Sequence, residues 1–98
     1  MLHIIQQSPF KYNSLQSCLS ILDPGQDALL LIEDGVFAAT IICQQLAQKC
    51  SQGLKTYVLE ADLIARGLST TVQPMINIIN YEEWVDLTTH YYPIQTWS

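Results

Sequence analysis

The stretch "ALLLI" (28–32) decides the fold. It is an unbroken apolar run between the turn-forming "DPGQD" (23–27) and the polar "EDG" (33–35). That is too short for a helix, and it lacks the alternation of a half-wet strand. A strand buried on both faces of a parallel sheet has this composition. Upstream, "LHII" (2–5) is a second short apolar strand. Between the two, Asn13 or Ser14 caps a helix running to about Leu22, with Leu15, Cys18, Leu19 and Leu22 at i, i+3, i+4 and i+7. Downstream, Asp34 is expected to cap a long helix reaching about Cys50. Its inward stripe is Val36, Ala39, Cys43, Leu46, Ala47 and Cys50, broadened by Phe37 and Ile41, and Gly53 lies just past its end. "KTYVLE" (55–60) reads as a third strand, and Asp62 to Arg66 as one helical turn stopped by Gly67. "MINIIN" (75–80) reads as a fourth strand. Asn80 with Glu83 marks the start of a last helix, from about Tyr81 to Thr89, with Tyr81, Trp84, Val85 and Thr88 on one side. After Pro93, "IQTW" (94–97) suits a short edge strand. Strand and helix alternate throughout. The expectation is one α/β domain over 1–98, a three-layer α/β/α sandwich on a mostly parallel sheet of four to five strands with right-handed crossovers.

Composition narrows the function. The 98 residues are 49% hydrophobic and 13% charged, whereas charged residues make up about 25% of ordinary soluble domains. So small a domain cannot hide that much apolar surface, and burial against other subunits is the expected outlet. The net charge is -5, and the four cations, Lys11, Lys49, Lys55 and Arg66, are scattered. No basic stripe exists for neutralising phosphates, which speaks against direct nucleic-acid binding and against an anionic membrane surface. No apolar run approaches the roughly 20 residues of a membrane helix. "MLHIIQQSPF" has no basic region ahead of an apolar stretch, so it is not read as a signal peptide. The expected location is the cytoplasm, where thiols stay reduced.

No self-sufficient catalytic set emerges from the residues. Cys43 and Cys50, on one helix, would lie about 10 Å apart, too far for a disulfide, and are read as core fillers. There is no CxxC and no Cys/His cluster at zinc spacing, so neither metal nor cofactor is expected. Cys18 sits in mid-helix on the apolar stripe with no Lys or Arg within one turn. A reactive thiol wants a helix N-terminus or a nearby cation. Two readings of Cys18 stand: a packed small residue, or a thiol at the stripe's edge facing a subunit boundary. Glu33, Asp34 and Gly35 follow a central strand, where open parallel sheets bind ligands, but two carboxylates repel phosphate, and capping with a tight turn explains them. His3 reads as a satisfied strand residue and His90 as a helix C-terminal one. Asp62 and Arg66 are placed to pair at i, i+4. Trp84 and Trp97 read as core and interface anchors.

Five segments in register resemble the TusB/DsrH family: "MLHIIQQSPF", "SLQSCLSIL", "LLIEDGVFAA", "YVLEADLIARGL" and "VDLTTHYYPIQTW". The resemblance implies a compact fold related to the DsrE and DsrF proteins. It also implies a cytoplasmic persulfide relay, built as a heterohexamer with TusC/DsrF-like and TusD/DsrE-like sister subunits, two copies of each chain. In the TusBCD branch the sulfur goes to 2-thiolation of wobble uridine in tRNA, and in the DsrEFH branch to dissimilatory sulfur oxidation. In both, the main acceptor cysteine belongs to the TusD/DsrE-type sister, and no cofactor is needed. Cys18 of "LQSCL" matches a cysteine of DsrH-type and some TusB-type sequences that other TusB-type members lack, which leaves it as a candidate persulfide carrier. A structural or small-ligand-binding module is the alternative from a different functional class.

Overall fold

The computed structural model describes residues 1–97. Five strands, β1 (Leu2–Ile5), β2 (Ala28–Leu31), β3 (Lys55–Leu59), β4 (Asn77–Ile79) and β5 (Ile94–Trp97), make one sheet in the order β4-β3-β2-β1-β5. Every neighbouring pair is parallel. The helices are α1 (Ser14–Ile21), α2 (Gln44–Ser51), α3 (Glu60–Ala65) and α4 (Tyr81–His90), with a 3-10 segment at Glu33–Ala39. The apolar run 28–32 supplies the middle strand, and all of Ala28–Leu31 is buried.

The strand order dictates how the layers fill. From β1 to β4 the chain steps one strand at a time in one direction, so right-handed crossovers put those three connections on a single face. The return from β4 to β5 crosses the whole sheet the other way, which puts α4 alone on the opposite face. Side-chain alternation agrees with this division. Ile5, Leu29, Leu31 and Val58 meet Leu15, Cys18 and Leu19 of α1, Leu46 of α2 and Leu63 of α3. Leu2, Ile4, Leu30, Leu59 and Ile79 meet Leu87 of α4, with Trp84 and Tyr91 packed around it. The first layer is thick and the second is thin.

The expected long helix from Asp34 to Cys50 does not form. The chain makes the 3-10 segment, breaks at residues 40–43, and starts α2 at Gln44 with Cys43 in the N-cap position. Three consecutive β-branched residues, Thr40, Ile41 and Ile42, are poor helix formers. The Thr40 amide and hydroxyl both donate to the Phe37 carbonyl, and the Ala39 carbonyl accepts from Gln73 instead of continuing a helix. Asp34 therefore caps nothing; Ile32 holds the cap position of the 3-10 segment. Gly35 explains why the turn is so tight: a Cβ there would meet the Ile5 carbonyl. Two strands are shorter than expected. Glu60 opens α3, and β4 covers only Asn77–Ile79. Gly53 and Gly67 take positive φ after α2 and α3, as their helix-ending roles require. Asn80 and Glu83 form a complete capping box, each side chain accepting from the other's backbone amide.

Candidate functional site

Cys18 lies on the buried side of α1 and is 0% exposed, so it is not at the edge of the stripe. Burial pushes its thiol up to about 12, and the negative charge of Asp27 adds to the shift. At neutral pH the thiol is therefore held protonated, where a nucleophile wants a thiolate. Cys43 and Cys50 are half-buried against the same core, and the Cys50 thiol lies 3.4 Å from the Thr56 hydroxyl. All three cysteines are free.

On the same side of the sheet sits a half-buried polar chain, centred on the buried His3, that the sequence did not announce. Trp97 Nε1 donates to His3 Nδ1 at 3.1 Å, and His3 Nε2 lies 3.0 Å from Asp27 Oδ2. An indole N–H can only donate, so Nδ1 is the acceptor and the ring hydrogen sits on Nε2, directed at the carboxylate. Asp27 also accepts from the Asp23 amide at 2.9 Å and from the α-amino group of Met1 at 3.2 Å. Burial works to raise the Asp27 carboxyl, but the Asp23, His3 and Met1 donors outweigh it and hold the group below its usual value. Cys18, His3 and Asp27 thus share one side of the sheet, yet the arrangement is the reverse of a nucleophile's. Both ring nitrogens of His3 are taken, so it cannot serve Cys18 as a base, and the carboxylate discourages the thiolate. The chain instead ties β5, β1 and the turn before β2 together. No sequence signal marks it, because residues 3, 27 and 97 are brought together only by the sheet order.

The remaining candidates are structural in their contacts. Glu33 takes positive φ, and its amide donates to Asp62 Oδ2 at 2.7 Å. Arg66 pairs with Asp34 at 3.0 Å and, as expected, with the Asp62 carboxylate at 3.9 Å, while Nη1 donates to the Asp62 carbonyl at 3.1 Å. These groups lash the 3-10 segment to α3, which accounts for the polar residues after β2. His90 ends α4, with Nδ1 2.9 Å from the Asp86 carbonyl. Trp84 stacks on Tyr81 with ring centres 6.2 Å apart, while Trp97 joins the His3 chain. Among the described residues no group of three or more His, Cys, Asp or Glu side chains is placed to hold a metal ion. No helix among them is long and apolar enough to cross a membrane.

Comparison with known proteins follows the same lines. The model for "DsrH like protein" matches residues 7–93. The chain is 36% identical to "Protein TusB" of Escherichia coli K12 over 97 residues, covering 99% of this chain and 100% of that protein. It is 37% identical to "Protein TusB" of Erwinia tasmaniensis over 87 residues, covering 89% of this chain and 90% of that one. Against "Protein TusB" of Buchnera aphidicola the identity is 32% over 103 residues, covering 99% and 100%. Among solved structures, the E. coli ychN protein superposes with a TM-score of 0.79 at 18% identity, over 98% of this chain and 97% of that one. At that identity the match speaks for the fold alone.

Proposed function

The chain belongs to the DsrH-like family, and from that premise we propose that it is the TusB-type subunit of a sulfur-relay complex supplying sulfur for 2-thiolation of wobble uridine in tRNA. The observation that carries this reading is the near-full-length likeness to proteins named TusB, at 32% to 37% identity. It favours the tRNA branch over dissimilatory sulfur oxidation. The complex forms with sister sulfur-relay subunits. In our reading these are of the TusC/DsrF and TusD/DsrE types, two copies of each chain, and the relay works in the cytoplasm where tRNA is modified.

The role of this chain is that of an accessory wall. In the relay step a thiolate on a sister subunit attacks the outer sulfur of a donor persulfide; the new S–S bond forms as the old one breaks, and the donor leaves as its thiolate. Cys18 is not that thiolate in our reading. Its complete burial and its thiol at about 12 support a packing role. The test is nucleoside mass spectrometry of tRNA from a strain lacking the gene. The 2-thiouridine signal is expected to vanish and to return with the wild-type chain and with Cys18→Ala. Unchanged thiolation in the deletion strain would overturn the function. Failure of Cys18→Ala alone, with the complex assembled, would overturn only the packing role.

A further inference from the structure

Met1-Leu2-His3 sets an imidazole on the third residue behind an α-amino group. Nickel(II) and copper(II) prefer square-planar nitrogen sites. The α-amine, the Leu2 and His3 amide nitrogens and His3 Nδ1 can close around such an ion as fused, small chelate rings. Three of these four donors belong to the backbone or the terminus, so no spacing of side chains signals the set. In the fold all four are engaged elsewhere. The α-amino group lies 3.2 Å from Asp27 Oδ1, and the Leu2 amide donates to the Pro93 carbonyl at 3.0 Å. The His3 amide lies within β1, between β2 and β5. His3 Nδ1 accepts from Trp97 Nε1 at 3.1 Å. An extended strand turns successive residues to opposite faces. The four nitrogens therefore converge on one ion only if Leu2, which is 0% exposed, leaves the core. Chelate and sheet compete for the same atoms.

We propose that Met1-Leu2-His3 is a binding site for nickel(II) and copper(II) that folding masks, so that these ions oppose the native state. Binding draws the start of β1 out of the sheet. As the ion enters, the α-ammonium gives up one proton and the Leu2 and His3 amides one each, all to solvent. Nδ1 bears no proton to lose, because it is the acceptor for Trp97. No electron moves. An ion that binds the open chain and not the fold shifts the balance to the open chain by mass action. Capture at β1 also removes the pairing partner of β5 and takes His3 and the α-amino group from Asp27. The same polar chain that ties β5, β1 and the turn before β2 together is thus the point at which these metals undo the fold.

The test is urea unfolding of the full, untagged chain with and without nickel chloride, followed by circular dichroism. A second chain carries one added glycine ahead of Met1, which moves the imidazole to the fourth position and keeps all three cysteines. Each chain is compared with its own metal-free midpoint, so a stability difference between them does not enter. With free nickel(II) at about 100 times its Kd for the unfolded chain, the unfolded-to-folded ratio should rise about 100-fold. The glycine-extended chain should keep its metal-free midpoint. In urea the untagged chain should bind one nickel ion with the absorption of a square-planar nitrogen site. Without urea, uptake should be as slow as opening of the fold. Equal midpoint shifts in both chains would assign the effect to the thiols and overturn the proposal. No shift, or no square-planar complex in urea, would overturn it too. So would immediate uptake by the folded chain with its circular dichroism unchanged. An intact mass of the chain isolated from cells that shows a blocked α-amine, or residues ahead of Met1, would overturn the site.

Discussion

Replacing Asp27 with alanine takes the acceptor away from three donors at once. The His3 Nε2–H is the costly loss, because His3 is 2% exposed and has no water to turn to. The Asp23 amide bond at 2.9 Å is also lost. Hydrogen bonds to a charged group contribute about 1.5–3 kcal/mol each, and a surface ion pair such as that with Met1 about 0–1 kcal/mol. The bonds share one carboxylate and do not add, so about 3 kcal/mol is expected for the set. With a urea slope of roughly 1–1.5 kcal/mol/M for a chain of this size, the midpoint should fall by about 2 M. Asp27→Asn keeps one acceptor and should lose about half as much. The sign with pH follows from the depressed carboxyl. The Asp27 contribution is complete above the unfolded value near 4 and disappears as pH falls through the lower folded value. The gap between wild type and Asp27→Asn should therefore be constant from pH 7 to 5 and close in acid. Urea titrations followed by tryptophan fluorescence across that range measure both effects. A change under about 0.5 kcal/mol for Asp27→Ala, or a gap that widens in acid, would refute the anchoring role.

Three further outcomes are expected. Gly35→Ala should cost about 2–3 kcal/mol in urea unfolding, because the new Cβ would lie 2.8 Å from the Ile5 carbonyl carbon and nearer still to its oxygen; a neutral effect would mean the 3-10 segment yields freely. In Cys18→Ala the lost sulfur should cost about 1–2 kcal/mol in urea unfolding; a neutral substitution would contradict the packing described. Asn80→Ala should lower stability by about 1 kcal/mol through loss of the capping box, seen as a lower melting temperature by circular dichroism.

The parts of the fold legible in the sequence were those governed by local pattern. The runs at 2–5 and 28–32, the stripe of α1, the glycines that end α2 and α3, and the Asn80–Glu83 cap each announce themselves within a few residues. Apolar spacing continues across Thr40–Ile42 and so predicts one long helix where the structure has two short segments. The break there is decided by β-branching and by the Gln73 amide, 34 positions beyond the Ala39 carbonyl it binds. The candidate site was half legible. Cys18 falls on the apolar stripe in both readings, but its depth depends on α1 packing against β1 and β2. The His3–Asp27–Trp97 chain and the Asp34–Arg66 pair are long-range consequences of strand order, and no spacing rule reaches them. The same order explains why the α4 stripe faces outward: a lone crossover helix has only the sheet to pack on, and Leu87 suffices for that.

The measurement that tests the account most directly is mass spectrometry of the assembled complex after loading with a persulfide donor. A mass increment of one sulfur is expected on a cysteine of a sister subunit, with Cys18 recovered as the free thiol and unreactive to alkylation at neutral pH before denaturation. One sulfur per chain on Cys18, chased onward when an acceptor is added, would contradict it.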